Sequence, residues 1–488
     1  MSIALLSWTA RTVSFPMSTS SLPAMSSGTV DSSSSSSSGH NRVPRLIHFN
    51  HAGCSPSPRA VTDRVIQYLV DEQRLGGYTT QFANDTQAEL KSVYNSVATL
   101  IHAHDDSEIA LVESATVAWT RLFYAMVNFQ NERYQHPNNV TKVIWFSEAE
   151  YAANLVAAIR WVQQHDGWTI RMIPSNVMND HQGRQVNVKE FSNLLRWTSN
   201  GTEVTAMVCV THIPTNAGII NPVDQIGQDI ATWNRQHQQQ QQQQKDANQY
   251  EILYLVDACQ SVGQIPINVQ AMHCDGLVAT GRKYLRGPRG TGFLYISKNW
   301  LSSDRGVGIW PSHLDHYSTP VVQLPSSDKL CLGAPLEEAL TFAPRADAKR
   351  FEFWESNIAN KLGLGVAVNI ALKEGLSNIA TLVGHLANLL YEKLRDMDGV
   401  HPYYPPKCGI VTFWVEGMKS EAVKEALWDE KGLCFEVSIV PATSTPLNSA
   451  ITRAPNLVRA SLSYTNTQDE VDLFCDRLAH IIQHKGGS

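Results

Sequence analysis

The sequence predicts an α/β protein, and two observations carry that reading. Mostly apolar runs at 108–112, 143–146, 206–210, 252–256 and 292–296 have the length of strands, and helix-patterned stretches separate most of them. The run at 252–256 delivers Asp257 at its end, where open α/β sheets place ligand-binding residues, and Lys283 follows inside a glycine-rich stretch.

The strings Tyr254-Leu-Val-Asp257-Ala-Cys-Gln260 and Ala279-Thr280-Gly-Arg-Lys283-Tyr-Leu-Arg-Gly-Pro-Arg-Gly-Thr-Gly292 organise the rest of the chain. A carboxylate and a lysine at this separation are the minimal equipment of a pyridoxal phosphate (PLP) site. The lysine bonds covalently to the cofactor aldehyde, and the carboxylate keeps the pyridine nitrogen protonated so that the ring accepts electrons. A lysine amine is a poor nucleophile while protonated, so burial must lower its pKa. An Asp at a strand end and a Lys after Gly are each common alone. Together, Asp257-Ala-Cys-Gln260, Thr280-Gly-Arg-Lys283 and Gly287-Pro-Arg-Gly290 resemble the signature of class V aminotransferase-fold enzymes of PLP fold type I. That group holds cysteine desulfurases, selenocysteine lyases and isopenicillin epimerases. Arginine in place of histidine before the lysine is most similar to the hercynylcysteine sulfoxide lyase branch of ergothioneine biosynthesis. The resemblance covers roughly residues 45–480. It implies a large domain, 45–335, with a mostly parallel seven-stranded sheet, a smaller C-terminal α/β domain, 336–488, and a homodimer.

Composition agrees. With 488 residues, 43% of them hydrophobic, the chain can bury a large core, and a net charge of -6 offers no basic field for nucleic acid. No apolar run approaches the ~20 residues of a membrane span. The eight cysteines include no Cys-x-x-Cys pair and no zinc spacing with histidine, so neither a disulfide framework nor a metal site is indicated.

Residues 1–30 contain Arg11, many Ser and Thr, and no acidic residue before Asp31. Residues 1–44 therefore read as a disordered leader or a transit peptide, which places the protein in the cytoplasm, or in a mitochondrion or plastid in the second case. The serine run 32–38 is a flexible linker, and folded structure is expected from about Leu46. His48-Phe-Asn50-His-Ala-Gly53-Cys-Ser-Pro56 reads as a short strand entering a turn, which the resemblance places at the mouth of the active site. A helix over 59–74 follows, then Gly76-Gly77-Tyr78 as a substrate-side loop and a helix over 86–102. The strand 108–112 opens onto Glu113-Ser-Ala-Thr116 and a helix. Free amides and the helix dipole favour an anion there, although a Ser/Thr N-cap explains many such strings. Matching to the family's phosphate turn assigns Ala115 and Thr116 to phosphate, with Ser114 as cap.

The next strand ends in Ser147-Glu-Ala-Glu-Tyr151, and Tyr151 matches the position where many relatives stack a histidine on the cofactor ring. After the strand 206–211, His212 reads as a structural histidine. Resemblance puts Thr215 or Asn216 on the O3′ side of the cofactor. A helix starts near Pro222, and the glutamine run 238–244 reads as a solvated surface insertion near 236–248. Within the central motif, Asp257 pairs with the pyridine nitrogen and Gln260 donates to the phenolic oxygen. Lys283 carries the cofactor, Thr280 and Arg282 are phosphate candidates, and Cys259 reads as a small core residue. Residues 310–313 are expected on the substrate side. Helices over 360–373 and 377–394 lead into the small domain, where 409–414 and 433–438 read as strands.

In that domain Leu457-Val-Arg459-Ala-Ser461 resembles the family's carboxylate clamp, so Arg459 is expected to hold a substrate α-carboxylate in a forked pair. Cysteine desulfurases carry a persulfide-forming cysteine on a mobile loop. The matching stretch Val440-Pro-Ala-Thr-Ser-Thr-Pro446 has none, and Cys434 falls in an expected strand. The expected activity is β-elimination at the C–S bond of a cysteine-type amino acid, with hercynylcysteine sulfoxide as one candidate. A class V aminotransferase and a catalytically inactive fold member are the alternatives; retention of both Asp257 and Lys283 argues against the second.

Overall fold

The computed structural model describes residues 45–133, 140–176, 184–197, 202–244, 251–301, 308–324, 335, 337, 340–428, 432–453 and 456–484. The leader over 1–44 lies outside them. The chain enters through β1 (Arg45–His48) and two helices, Arg59–Leu75 and Thr80–Ile101. Seven strands then make the central sheet: β2 (Ile109–Val112), β3 (Thr141–Phe146), β4 (Trp168–Met172), β5 (Glu203–Thr211), β6 (Leu253–Asp257), β7 (Gly276–Thr280) and β8 (Gly292–Ile296). Their order is β2-β8-β7-β6-β5-β3-β4. β8 runs antiparallel to β2 and β7, and the other pairings are parallel. This is the mostly parallel sheet of PLP fold type I.

Every residue of β2, β6, β7 and β8 is buried. A sheet covered on both faces needs apolar side chains at successive positions, which is why these strands read as continuous runs. Successive side chains point to opposite faces. Tyr254 and Val256 accordingly join one core, with Val93 and Val97 of helix Thr80–Ile101 and Leu362 of helix Ile358–Glu374. Leu253 and Leu255 join the other, with Trp119, Phe123 and Met126 of helix Ala115–Arg133. The register sets Thr211 beside Asp257, and Gly292 beside both Thr280 and Val112. The polar ends of β5, β6 and β7 and the exit of β2 therefore open at one edge of the sheet.

β9 (Val321–Gln323) and β10 (Thr341–Phe342) form a small exposed pair. Beyond it come β11 (Val400–Pro402), β12 (Ile410–Val415), β13 (Leu433–Glu436), β14 (Ser438–Val440) and β15 (Leu457–Ser461). β11, β12, β15 and β14 make a four-stranded antiparallel sheet in that order. Leu386 and Leu390 of helix Leu376–Arg395 and Phe474 and Leu478 of helix Gln468–Gln483 fill its core.

Packing carries two segments across the sequence-based division at 335/336. β1 pairs in parallel with β13, and Ile47 and Phe49 enter the C-terminal core. Helix Ile358–Glu374 instead packs into the large-sheet core. A two-domain division with these segments exchanged is the proposal that packing supports. Helix Thr80–Ile101 starts six residues before the expected 86, with Phe82 set against the Tyr68 ring, 5.4 Å between centroids. The helix begun at Val223 continues to Gln244, so this part of the glutamine run extends a helix instead of looping out; glutamine is a good helix former. Residues 245–248 of the expected insertion lie outside the described residues. Among the described residues no single helix is long and apolar enough to cross a membrane.

Candidate active site

One cavity at the polar edge of the sheet collects Ala115, Thr116, Tyr151, Thr215, Asp257, Gln260, Thr280, Arg282 and Lys283, all read from sequence as cofactor contacts. Ser114, Asn154, Thr211, Ile213 and Cys259 complete its lining.

Asp257 ends β6 and is 5% exposed. Its Oδ1 accepts from the Cys259 amide (2.9 Å) and its Oδ2 from Nδ2 of Asn154 (2.9 Å). Lys283 stands in the turn after β7. Burial lowers its pKa from the usual lysine value, opposed by the nearby Cys259 and Asp257, so the amine is biased toward its nucleophilic, neutral form. Cys259 does more than fill the core, because it lines this cavity. Burial, reinforced by Asp257, pushes its thiol pKa well up, which keeps it protonated and inert.

The start of helix Ala115–Arg133 lines the cavity, and free amides at a helix start suit an anion. Ser114 caps it, its Oγ accepting from the Val117 amide (3.2 Å), as the sequence suggested. Gly292 lets this turn come close: a Cβ there would lie 3.0 Å from the Ser114 carbonyl carbon and 3.2 Å from the Ala115 nitrogen. Thr280 donates to the Thr291 carbonyl (3.3 Å), and Arg282 donates through Nη1 to the Gly53 carbonyl. The Ser55 amide returns a bond to the Arg282 carbonyl (2.9 Å), so this arginine also fastens the 53–55 turn to the cavity.

Gln260 Nε2 donates to the Ala52 carbonyl (3.1 Å) and to Thr215 Oγ1 (3.2 Å), leaving its buried Oε1 without a partner. Thr215 Oγ1 also accepts from Nη1 of Arg459 (2.5 Å). With both lone pairs engaged, the Thr215 hydroxyl has its hydrogen left to donate. Asn216, the alternative to Thr215, bonds instead to Asn448 (2.9 Å). Arg459, on β15, is 7% exposed, and burial lowers its pKa to about 10, still cationic at neutral pH. Its Nε donates to Ser438 Oγ (2.9 Å). Tyr151 is the N-cap residue of helix Ala152–Gln164 and remains 43% exposed.

Residues 310–313 do not line this cavity, and Trp310 packs edge-on against Phe342. Gly77 and Tyr78 line a separate cavity of about 660 Å³, where Tyr78 stacks on Trp354. His212 is buried with Nδ1 unpartnered, and desolvation lowers its pKa to about 4, in line with a structural histidine.

Two residues escaped the sequence reading. Nδ2 of Asn154 donates to Glu150 Oε1 (2.7 Å) as well as to Asp257, and Glu150 also accepts from Thr211 Oγ1 (2.6 Å), the Thr211 amide (3.1 Å) and Ser147 Oγ (2.9 Å). The spacing of Glu150 and Asn154, one helical turn apart at a strand exit, is the only local signal of this cluster.

The cavity fits pyridoxal phosphate. It holds an amine for the aldehyde, its pKa lowered by burial, a carboxylate for the ring nitrogen, a helix start for the phosphate and an unsatisfied buried amide oxygen in its wall.

The aminotransferase class-V family model matches residues 47–307 and 341–474. A probable cysteine desulfurase of Synechocystis sp. is 27% identical over 449 residues, 90% of this chain and 91% of that one. A cysteine desulfurase of Yersinia pseudotuberculosis is 26% identical, over 88% and 91%. Among solved structures, apo cysteine desulfurase from Thermococcus onnurineus NA1 superposes with a TM-score of 0.71 at 20% identity, covering 91% of this chain and 95% of that one. The cystine C–S lyase C-DES in complex with cysteine persulfide does so at 0.67 and 18%, covering 88% and 97%. These two structures share the fold. On the family match, the chain belongs to the class V aminotransferases and is a pyridoxal phosphate-dependent enzyme.

Proposed function

We propose that the protein cleaves the C–S bond of a cysteine-type amino acid by β-elimination. The observation that carries this reading is the enclosure of Lys283, Asp257 and Gln260 in one cavity with Arg459 reached through Thr215. The cysteine desulfurase names of the relatives support the substrate class. Bound pyridoxal phosphate supplies the electron sink for charge developing at Cα.

The residues divide the remaining work. Asp257 places a negative charge toward the ring nitrogen, and the first amides of helix Ala115–Arg133 receive the phosphate. Thr215 donates its hydroxyl hydrogen on the O3′ side. Arg459 holds the α-carboxylate, which orients the Cα–H bond toward the Lys283 amine. That amine, its pKa lowered by burial, takes the Cα proton as general base. The C–H electron pair becomes the Cα–Cβ double bond while the C–S pair leaves with sulfur. The enamine product hydrolyses to pyruvate and ammonia.

A sulfoxide substrate would leave as a sulfenate, a better leaving group than a thiolate, and this favours hercynylcysteine sulfoxide as the finer assignment. The same direction comes from the stretch 440–446, which has no cysteine, and from Cys434, buried in β13. Exposed Val321, Val322 and Phe342 on the β9–β10 pair support a homodimer. The test is a substrate panel of cysteine, selenocysteine, S-substituted cysteines and hercynylcysteine sulfoxide, followed by pyruvate formation. Pyruvate from sulfur-bearing substrates supports elimination. Conversion of the cofactor to its amine form with a keto acid but no pyruvate would identify an aminotransferase.

A further inference from the structure

Glu150 and Asp257 are both buried, one at the exit of β3 and one at the end of β6. Like charges so placed repel unless something stands between them, and what stands between them is one nitrogen. Nδ2 of Asn154 spends one hydrogen on Glu150 Oε1 (2.7 Å) and the other on Asp257 Oδ2 (2.9 Å). The amide is thereby fixed in orientation, and so is the Asp257 carboxylate, whose other oxygen is held by the Cys259 amide (2.9 Å).

We propose that Glu150 and Asn154 are positioning residues for Asp257, holding its carboxylate in the one orientation that receives the cofactor's ring nitrogen. The inference rests on the reading of this cavity as the pyridoxal phosphate site. Glu150 is suited to the distal role because its own oxygens are saturated. Besides Asn154 it accepts from Thr211 Oγ1, the Thr211 amide and Ser147 Oγ, all within 3.1 Å. Burial, then the charge of Asp257, raises the Glu150 pKa to about 7. Glu150 is absent from the cavity lining and acts on it through residues that it bonds; of those, Asn154 is the one that also bonds Asp257.

The test is a double-mutant cycle on cofactor affinity, independent of turnover. Dissociation constants for pyridoxal phosphate are measured by equilibrium dialysis for wild type, Asn154→Ala, Asp257→Ala and the double variant, with circular dichroism confirming that each is folded. Glu150→Gln in the presence and absence of Asn154 serves as the second series. Losing a hydrogen bond to a buried carboxylate should weaken binding by about 10- to 100-fold in Asn154→Ala. The double variant should bind no worse than Asp257→Ala, and Glu150→Gln should have its effect only while Asn154 is present. Losses that multiply in the double variant, or an unchanged constant in Asn154→Ala, would overturn the positioning role while leaving the cofactor site intact. Wild-type protein that fails to bind the cofactor would instead overturn the site, and the inference with it.

Discussion

Nη1 of Arg459, on β15 of the C-terminal sheet, lies 2.5 Å from the hydroxyl oxygen of Thr215, just beyond β5 of the large sheet. The same nitrogen donates to the Thr215 carbonyl (3.1 Å). The proposed carboxylate clamp is thus tied to the residue assigned to the cofactor. Arg459→Lys keeps a charge but loses the planar fork and the Nε bond to Ser438. KM should rise by about 10- to 100-fold with a smaller change in kcat, read by steady-state kinetics on whichever substrate releases pyruvate. An unchanged KM would remove Arg459 from substrate binding.

Replacing Lys283 with alanine removes the proposed base and the point of cofactor attachment. Turnover should fall by about 100- to 10,000-fold. The cofactor-free protein should be no less stable than wild type, since burying a lysine amine is itself unfavourable. Thermal melting of both apo proteins checks the second statement.

His212 predicts a stability change with pH. Its pKa is lowered from 6.5 to about 4 by desolvation. Between those values the unfolded chain binds the proton and the folded one does not, so this contribution is intact above about pH 6.5 and is lost as pH falls toward 4. His51, lowered to about 3, acts in the same direction, and Glu150, raised to about 7, acts in the opposite one. Comparing wild type with His212→Asn isolates the single group. The difference in unfolding free energy should move by about 2 kcal/mol in favour of the variant between about pH 7.5 and pH 5, measured by urea denaturation.

Glu352 is a structural counterpart to the site carboxylates. It accepts from Tyr94 Oη (2.9 Å to each oxygen), the Leu111 amide (2.8 Å) and Lys361 Nζ (2.9 Å). It therefore joins helix Thr80–Ile101, edge strand β2 and helix Ile358–Glu374. Glu352→Ala leaves a buried lysine unpaired and should cost about 3–5 kcal/mol in denaturant unfolding.

What could be read from sequence was what is local. Asp257 and Lys283 fall in one motif, and β6 to β8 are successive, so the pair was legible from spacing, and the resemblance of the surrounding residues to a family assigned its chemistry. Arg459 and Thr215 were reached only through family resemblance, since no periodicity links positions so far apart. Glu150 and Asn154 were missed because their partners, Thr211 and Asp257, arrive from β5 and β6 through sheet register. Helix Ile358–Glu374 was recognised as a helix, but its burial against the large sheet depends on Val93 and Val97 of another helix. The extension of the Val223 helix through the glutamines was overlooked because low complexity outweighed helix propensity in that stretch.

The most direct measurement is borohydride reduction of the protein loaded with pyridoxal phosphate, followed by peptide mass analysis. A visible band near ~420 nm that disappears on reduction, with the cofactor mass fixed on Lys283, is the expected result. A cofactor mass on another lysine, or no covalent label at all, would contradict the assignment of this cavity as the catalytic centre.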